Sequence, residues 1–182
     1  MIRLFVGLAL PEIQRERLAA LGGGIPNARW VAPETMHLTL RFIGEVDEGA
    51  GQDIHEALSA LRAPAFTYEL AGFDVFGGNS RAHTLWVGVE RNPALIRLRD
   101  RVETAVVRLG LPPDPRKFSP HVTVARLRGV PVSRLKGFLA GNGLFHSGPI
   151  PCDRFTLFSS HLGRNGASYT AEAEYALEGT PR

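Results

Sequence analysis

Two four-residue segments with one shared pattern constrain the fold of this chain most strongly. His37-Leu38-Thr39-Leu40 and His121-Val122-Thr123-Val124 each read histidine, aliphatic, threonine, aliphatic, and one copy lies in each half of the chain. Successive side chains on a β-strand point to opposite faces, so each segment would bury its aliphatic residues and present histidine and threonine together. A copy in each half predicts two similar lobes that face each other.

The rest of the chain intersperses strand and helix patterns without a regular alternation of the two. Apolar spacing predicts helices at residues 11–21, around Ile54 and Leu58, after the N-cap candidate Asn92, and at residues 133–139. Strands are expected at residues 4–10, 37–43, 66–76, 83–89, 121–127, 155–159 and 169–177, with glycine-bearing turns at 77–79 and 163–166. This order favours an α+β class with antiparallel sheets. No flexible linker is evident, so residues 1–182 are expected to form a single domain made of two lobes.

The bulk composition excludes several classes of protein. With 182 residues, of which 44% are hydrophobic, the chain can bury a core without disulfide bonds, and its one cysteine, Cys152, cannot pair within the chain. No segment approaches the ~20 apolar residues that a membrane-spanning helix needs. A net charge of +3 is compatible with an anionic substrate without being diagnostic. We therefore expect a cytoplasmic protein, a monomer, with no membrane partner.

Two histidines with two threonines suit acid–base chemistry at a phosphate. One imidazole can deprotonate a water while the other protonates a leaving oxygen, and threonine hydroxyls can donate to nonbridging oxygens without adding negative charge. A zinc site is the sharpest competing interpretation, but a catalytic zinc usually needs three protein ligands, and neither motif carries an Asp, Glu or Cys at ligand spacing. The absence of a G-x-S-x-G segment disfavours a serine hydrolase, and the absence of a G-x-x-x-x-G-K-[ST] loop disfavours an ATP-driven ligase.

The paired motifs and their surroundings resemble the 2H phosphoesterases, and more closely the RNA 2′,3′-cyclic phosphodiesterase branch, long called 2′-5′ RNA ligases. The stretches that carry the resemblance are RLFVGLALP, WVAPETMHLTLRFIGEV, KFSPHVTVAR and FTLFSSHLGRNGASYTAEAEY, in that order along nearly the whole chain. The resemblance implies a bilobal α+β fold in which two pseudo-symmetric lobes with antiparallel sheets face a central groove. It also implies that no metal or cofactor is required.

The same resemblance assigns roles to five residues. His37 would be the proton donor, His121 the proton acceptor, and Thr39, Thr123 and Arg126 the phosphate-binding residues. Strict alternation along a strand would send Arg126 to the face opposite His121, so a twist or bulge must intervene between them.

Three further side chains are candidate substrate contacts. Arg41 shares the strand face of His37 by period, and Trp30 and Phe118 offer rings on which a base could stack. A solvated surface position for Arg41 and a packing role for the two aromatic residues are the competing interpretations. Trp86 could also stack on a base, with a core or packing role as its competing interpretation. Phe42 falls on the aliphatic side of the period and is expected in the core.

The resemblance implies hydrolysis of an RNA 2′,3′-cyclic phosphate end to a 2′-phosphomonoester with a free 3′-hydroxyl. The reverse reaction would be a weak, ATP-independent 2′-5′ ligation. One alternative keeps the chemistry and changes the substrate to small cyclic nucleotides or 2′-5′ oligonucleotides. Another is a non-catalytic module that binds RNA ends or nucleotides.

Overall fold

A computed structural model describes residues 1–78, 80–164 and 166–182. Two short 3₁₀ turns, at Pro33–Thr35 and Val132–Arg134, accompany the helices and strands. The elements in chain order are β1 (Ile2–Ala9), α1 (Glu12–Ala20), β2 (Ala28–Trp30), β3 (His37–Val46), α2 (Glu48–Ser59), β4 (Phe66–Tyr68), β5 (Leu70–Gly78), β6 (Arg81–Val89), α3 (Pro93–Arg108), β7 (His121–Pro131), α4 (Lys136–Gly141), β8 (Ile150–Cys152), β9 (Arg154–Gly163) and β10 (Gly166–Ala176).

Helix α3 illustrates how the local sequence sets an element. The Asn92 side chain accepts a hydrogen bond from the Leu95 backbone N–H at 2.9 Å, and Pro93 occupies the first turn. The buried face of α3 carries Leu95, Leu98, Val102 and Val106, each at most 2% exposed. Burying one such side chain contributes about 1.5–3 kcal/mol, so this face fixes α3 against the sheet.

Eight of the described strands form one antiparallel sheet. Seven of them follow the order β10-β9-β1-β3-β7-β6-β5, and the eighth, β2, pairs with the part of β7 that β3 leaves free. Within the described ranges, β3 and β7 share one register pair, Leu38 with Val122. This pair divides the sheet into two half-sheets, β10-β9-β1-β3 and β7-β6-β5. The predicted α+β class with antiparallel sheets is confirmed, and the half-sheets meet edge to edge at the two repeated motifs.

The two half-sheets repeat the same irregularity. On β3, Thr39 pairs with Gly7 and Arg41 with Val6, so Leu40 is left without a partner on β1. On β7, Thr123 pairs with Trp86 and Ala125 with Leu85, so Val124 is left without a partner on β6. Each bulge lies at the residue after the motif threonine and reverses the alternation of side chains beyond it.

Some predicted elements differ from the structure. The strand expected at residues 66–76 is divided: β4 pairs with β8 in a separate two-stranded sheet, whereas β5 joins the main sheet. The short β2 and β8 were not expected. The predicted turns at 77–79 and 163–166 include Asn79 and Asn165, which lie outside the described residues. In the part of the chain that the structure describes, no helix is long and apolar enough to span a membrane.

Candidate active site

The Leu38–Val122 pair brings the two motifs together. Both side chains are fully buried on the helix-covered side of the sheet. Their neighbours in sequence therefore point to the opposite face, which we call the histidine face. In an antiparallel register with Leu38 opposite Val122, His37 lies next to Thr123 and His121 lies next to Thr39. Each histidine is thus flanked by the threonine of the other motif.

Both imidazoles are oriented by the same local hydrogen bond. Nδ1 of His37 lies 2.8 Å from the Thr35 carbonyl oxygen, and Nδ1 of His121 lies 2.7 Å from the Ser119 carbonyl oxygen. A carbonyl can only accept, so each Nδ1–H is the donor, and this fixes the tautomer of the neutral ring. Nε2 is the nitrogen that remains on each ring to take up or release a proton.

Burial and nearby cations disfavour the charged form of both histidines. Desolvation is the largest cause that lowers the pKa of His37, and the charges of Arg126 and His121 lower it further. Desolvation also lowers the pKa of His121 most, with smaller contributions from Arg126 and Arg116. In each case the hydrogen bond to the carbonyl opposes the shift without cancelling it. A bound phosphate anion would offset the desolvation and allow one ring to hold the second proton.

Arg126 is the cation that the two histidines share. The β7 bulge places Arg126 on the histidine face, whereas strict alternation would send it to the opposite face. Its Nη1 donates to Thr84 Oγ1 at 3.3 Å. Its charge acts on both His37 and His121. A guanidinium in this place can bind an anion held between the two rings.

Aromatic side chains surround each imidazole. The His37 ring lies 4.7 Å from the Phe5 ring and 4.9 Å from the Tyr169 ring, measured between centroids. The His121 ring lies 4.8 Å from Phe76 and 5.7 Å from Trp86. These rings restrict water on the flanks of the histidines, which strengthens electrostatic interactions at the site.

The described residues contain no group of three or more His, Cys, Asp or Glu side chains arranged to hold a metal ion. The metal-free mechanism stays a prediction, tested below.

A sequence profile of the 2′-5′ RNA ligase superfamily matches residues 11–162. The chain belongs to this superfamily. An RNA 2′,3′-cyclic phosphodiesterase of Aeropyrum pernix is 36% identical over 148 residues, which cover 80% of this chain and 84% of that protein. The RNA 2′,3′-cyclic phosphodiesterase of Escherichia coli is 30% identical over 179 residues, or 96% of each chain. A crystal structure of E. coli LigT with 3′-AMP superposes with a TM-score of 0.78 at 27% identity, covering 98% of this chain and 99% of that one. The family and the fold predicted from the motifs are confirmed.

Arg41, a candidate substrate contact, lies away from the two histidines. Arg41 does not reach the histidine face, because the β3 bulge turns it to the helix-covered side. Its guanidinium is buried, with Nε 2.6 Å from Glu103 of α3 and Nη1 3.9 Å from Asp114. The same bulge turns Phe42 outward, where it is 50% exposed, so the expected core position of Phe42 was wrong. Arg41 is therefore a packing residue that ties β3 to α3.

The two aromatic candidates also pack away from the imidazoles. Trp30 contacts Phe138 of α4 at 5.9 Å and lies against the residues that follow α1. Phe118 packs against the core and carries the Arg99 guanidinium 5.3 Å above its ring. These contacts account for both side chains without a substrate. Trp86, for which the sequence left base stacking and packing both open, contacts His121.

Sequence reasoning missed several aromatic neighbours of the two histidines, whereas Trp86 was already a candidate for base stacking. Phe5, Tyr169 and Phe76 lie on strands far from either motif in sequence, so only the strand order brings them to the site. The sequence gives one indication that Trp86 lies near the site, since Trp86 belongs to the strand that pairs with the second motif. Its register opposite Thr123 could not be derived without the bulge.

Proposed function

We propose that this protein hydrolyses a 2′,3′-cyclic phosphate at the end of an RNA to a 2′-phosphomonoester with a free 3′-hydroxyl. The observation that carries the proposal is the matched pair of imidazoles on one face, each held through Nδ1 and each leaving Nε2 for proton transfer. Relatives named RNA 2′,3′-cyclic phosphodiesterase support the choice of substrate.

In the proposed mechanism the phosphate lies between the two rings. His121 Nε2 takes a proton from a water that attacks phosphorus, while His37 Nε2–H donates its proton to the departing 3′-oxygen. The P–O3′ bond breaks as the new P–O bond forms. His121 ends charged and His37 neutral, and proton exchange with solvent restores the starting state.

Thr39, Thr123 and Arg126 would hold the nonbridging oxygens. Each threonine lies beside the histidine of the other motif, so both hydroxyls are available to the same phosphate. Charge on these oxygens increases in the transition state, and a guanidinium that is already in place stabilises it without reorganisation. Microscopic reversibility permits a 5′-hydroxyl to replace water, which would form a 2′-5′ bond at a low rate without ATP.

We further propose that residues 1–182 work as one two-lobed domain and as a monomer. Each half-sheet supplies one histidine, so neither half can catalyse alone, and one chain contains both. The single cysteine, Cys152, is buried, and burial raises the pKa of its thiol to about 12, which fits a protein of a reducing, cytoplasmic compartment.

The test is incubation of an RNA ending in a 2′,3′-cyclic phosphate with the protein in EDTA, followed by identification of the product. The matched controls are His37→Ala and His146→Ala, since His146 is exposed and lies outside the site. The proposal expects turnover in the wild type and in His146→Ala, and almost none in His37→Ala. Binding of the RNA end without turnover would support the non-catalytic module instead.

A further inference from the structure

Three arginines form a strip that leads away from the catalytic residues. Strand β2 pairs with β7 so that the Arg29 Cα lies directly opposite that of Arg126. Arg128 follows Arg126 by two residues on β7, about 6.7 Å further along the strand. We call Arg29, Arg126 and Arg128 the arginine strip.

All three side chains lie on the histidine face. Leu127, between Arg126 and Arg128, is 5% exposed and belongs to the core, so its two neighbours point to the opposite side. Ala28 and Trp30 pack against the core in the same way on either side of Arg29. The Arg29 guanidinium also lies against the Gly166 backbone at the start of β10, where an added Cβ would overlap Nη2.

This arrangement concentrates positive charge. The Cα atoms of Arg29 and Arg126 are directly opposite on neighbouring strands, where like charges disfavour a sheet, and the two guanidinium groups turn to different neighbours, Gly166 and Thr84. Within the described ranges, neither Arg126 nor Arg128 forms an ion pair with a carboxylate. An anion bound along the strip would offset the repulsion, and a phosphodiester backbone is an anion that extends over several residues.

The proposed division of roles sets the direction of the RNA. In-line attack places the water beside His121 and the departing ribose oxygen beside His37. Along β7, the positions beyond Thr123 lie on the His37 side of the site, because His37 lies next to Thr123 and Trp30 pairs with Ala125. In that mechanism the ribose would lie on the side where the strip begins, which would let the RNA joined to its 5′-oxygen extend over the strip.

We propose that Arg29 and Arg128 bind the backbone phosphate on the 5′ side of the terminal nucleotide, so that the enzyme prefers an oligoribonucleotide end to a mononucleotide. This inference rests on the proposed function, and it names residues that select the substrate without taking part in the chemistry.

The experiment compares two substrates, a nucleoside 2′,3′-cyclic monophosphate and a short oligoribonucleotide with the same terminal nucleotide. It uses the wild type, Arg29→Ala, Arg128→Ala and the matched control Arg97→Ala, an exposed arginine of α3. For the oligoribonucleotide, Arg128→Ala should lower kcat/KM by roughly tenfold or more, the value of one hydrogen bond to a charged group. The slope of log kcat/KM against log salt should fall by about one. Turnover of the mononucleotide should change less than about twofold, and Arg97→Ala should match the wild type with both substrates.

An equal loss on both substrates, or no loss on either, would overturn the inference while leaving the proposed reaction intact. Binding of an oligoribonucleotide that ends in a 2′-phosphate, followed by fluorescence anisotropy, separates the two proposals. If the wild type turns over neither substrate but Arg128→Ala still weakens this binding about tenfold, the proposed function fails and the strip stands. Unchanged binding in Arg29→Ala and Arg128→Ala, with thermal midpoints like that of the wild type, would refute the strip.

Discussion

Replacing Arg41 by methionine should destabilise the fold and leave catalysis intact. The Arg41 guanidinium lies 2.6 Å from Glu103, and the two side chains are 8% and 15% exposed. The substitution removes the nearest cation from this largely buried carboxylate, which keeps the Asp114 backbone N–H at 2.9 Å and Arg99 at 4.0 Å. Breaking such a pair costs about 3–5 kcal/mol. For a chain of this length, the midpoint of thermal unfolding should fall by roughly 6–20 °C. The assay combines urea unfolding with kcat/KM on a cyclic-phosphate RNA, measured well below the lowered midpoint.

The double variant Arg41→Met with Glu103→Met tests whether the lost stability comes from the unpaired charge of Glu103. Removing both charges replaces the ion pair by apolar contacts, which often restores stability, so the double variant should unfold closer to the wild type than Arg41→Met does. Arg99 loses a 4.0 Å neighbour in Glu103 but keeps Asp100 at 3.4 Å. If Arg41→Met instead unfolds like the wild type while kcat/KM falls tenfold or more, Arg41 contacts the substrate and its assignment to packing is wrong.

Five further outcomes are expected. His37→Ala and His121→Ala should each lower kcat/KM at least ~10²-fold with an unchanged circular dichroism spectrum, and near-normal turnover in either would refute the two-histidine mechanism. The pH profile of kcat/KM should be bell-shaped and centred below pH 6.5, because the base works above its lowered pKa and the acid below its own, both lowered from 6.5. Arg126→Gln removes a cation that lowers both pKa values, so it should move the bell to higher pH; an unmoved bell would contradict the coupling. Turnover should survive EDTA, and a loss that zinc or manganese restores would identify the histidines as ligands. The product should resist a phosphatase specific for 3′-phosphates and yield to a nonspecific one, whereas mainly 3′-phosphate by phosphorus NMR would show the ribose bound the other way round.

The sequence predicted what depends on local pattern and on repetition. The two motifs identified the histidines and threonines as a set, and strand period placed them on one face with Leu38 and Val122 buried behind. Helix α3 follows from Asn92, Pro93 and its apolar face. These features are set by residues a few positions apart, where periodicity and capping decide the conformation.

What the sequence could not give depends on strand pairing. A bulge depends on how two strands pair, so the sequence of either motif alone could not predict that Leu40 and Val124 would be left without partners. The two bulges affected the prediction differently. Arg126 was assigned to the site correctly in position because the resemblance outweighed strict alternation, whereas Arg41 was placed on the wrong face because strict alternation was followed. Phe5, Phe76 and the pairing of β2 with β7 likewise depend on contacts between distant parts of the chain.

The equivalent bulges have a consequence for how the two histidines divide their work. A site with exact twofold symmetry would hold its ligand in two orientations of equal free energy, related by half a turn, and each imidazole would act as acid in one and base in the other. Position 42 on β3 corresponds to position 126 on β7, and one is phenylalanine where the other is arginine. One hydrogen bond to a charged group, about 1.5–3 kcal/mol, favours a single orientation by roughly ten- to a hundredfold. In the proposed mechanism, the roles of two chemically identical side chains would thus be decided by a third pair of residues, Phe42 and Arg126, five positions beyond each histidine.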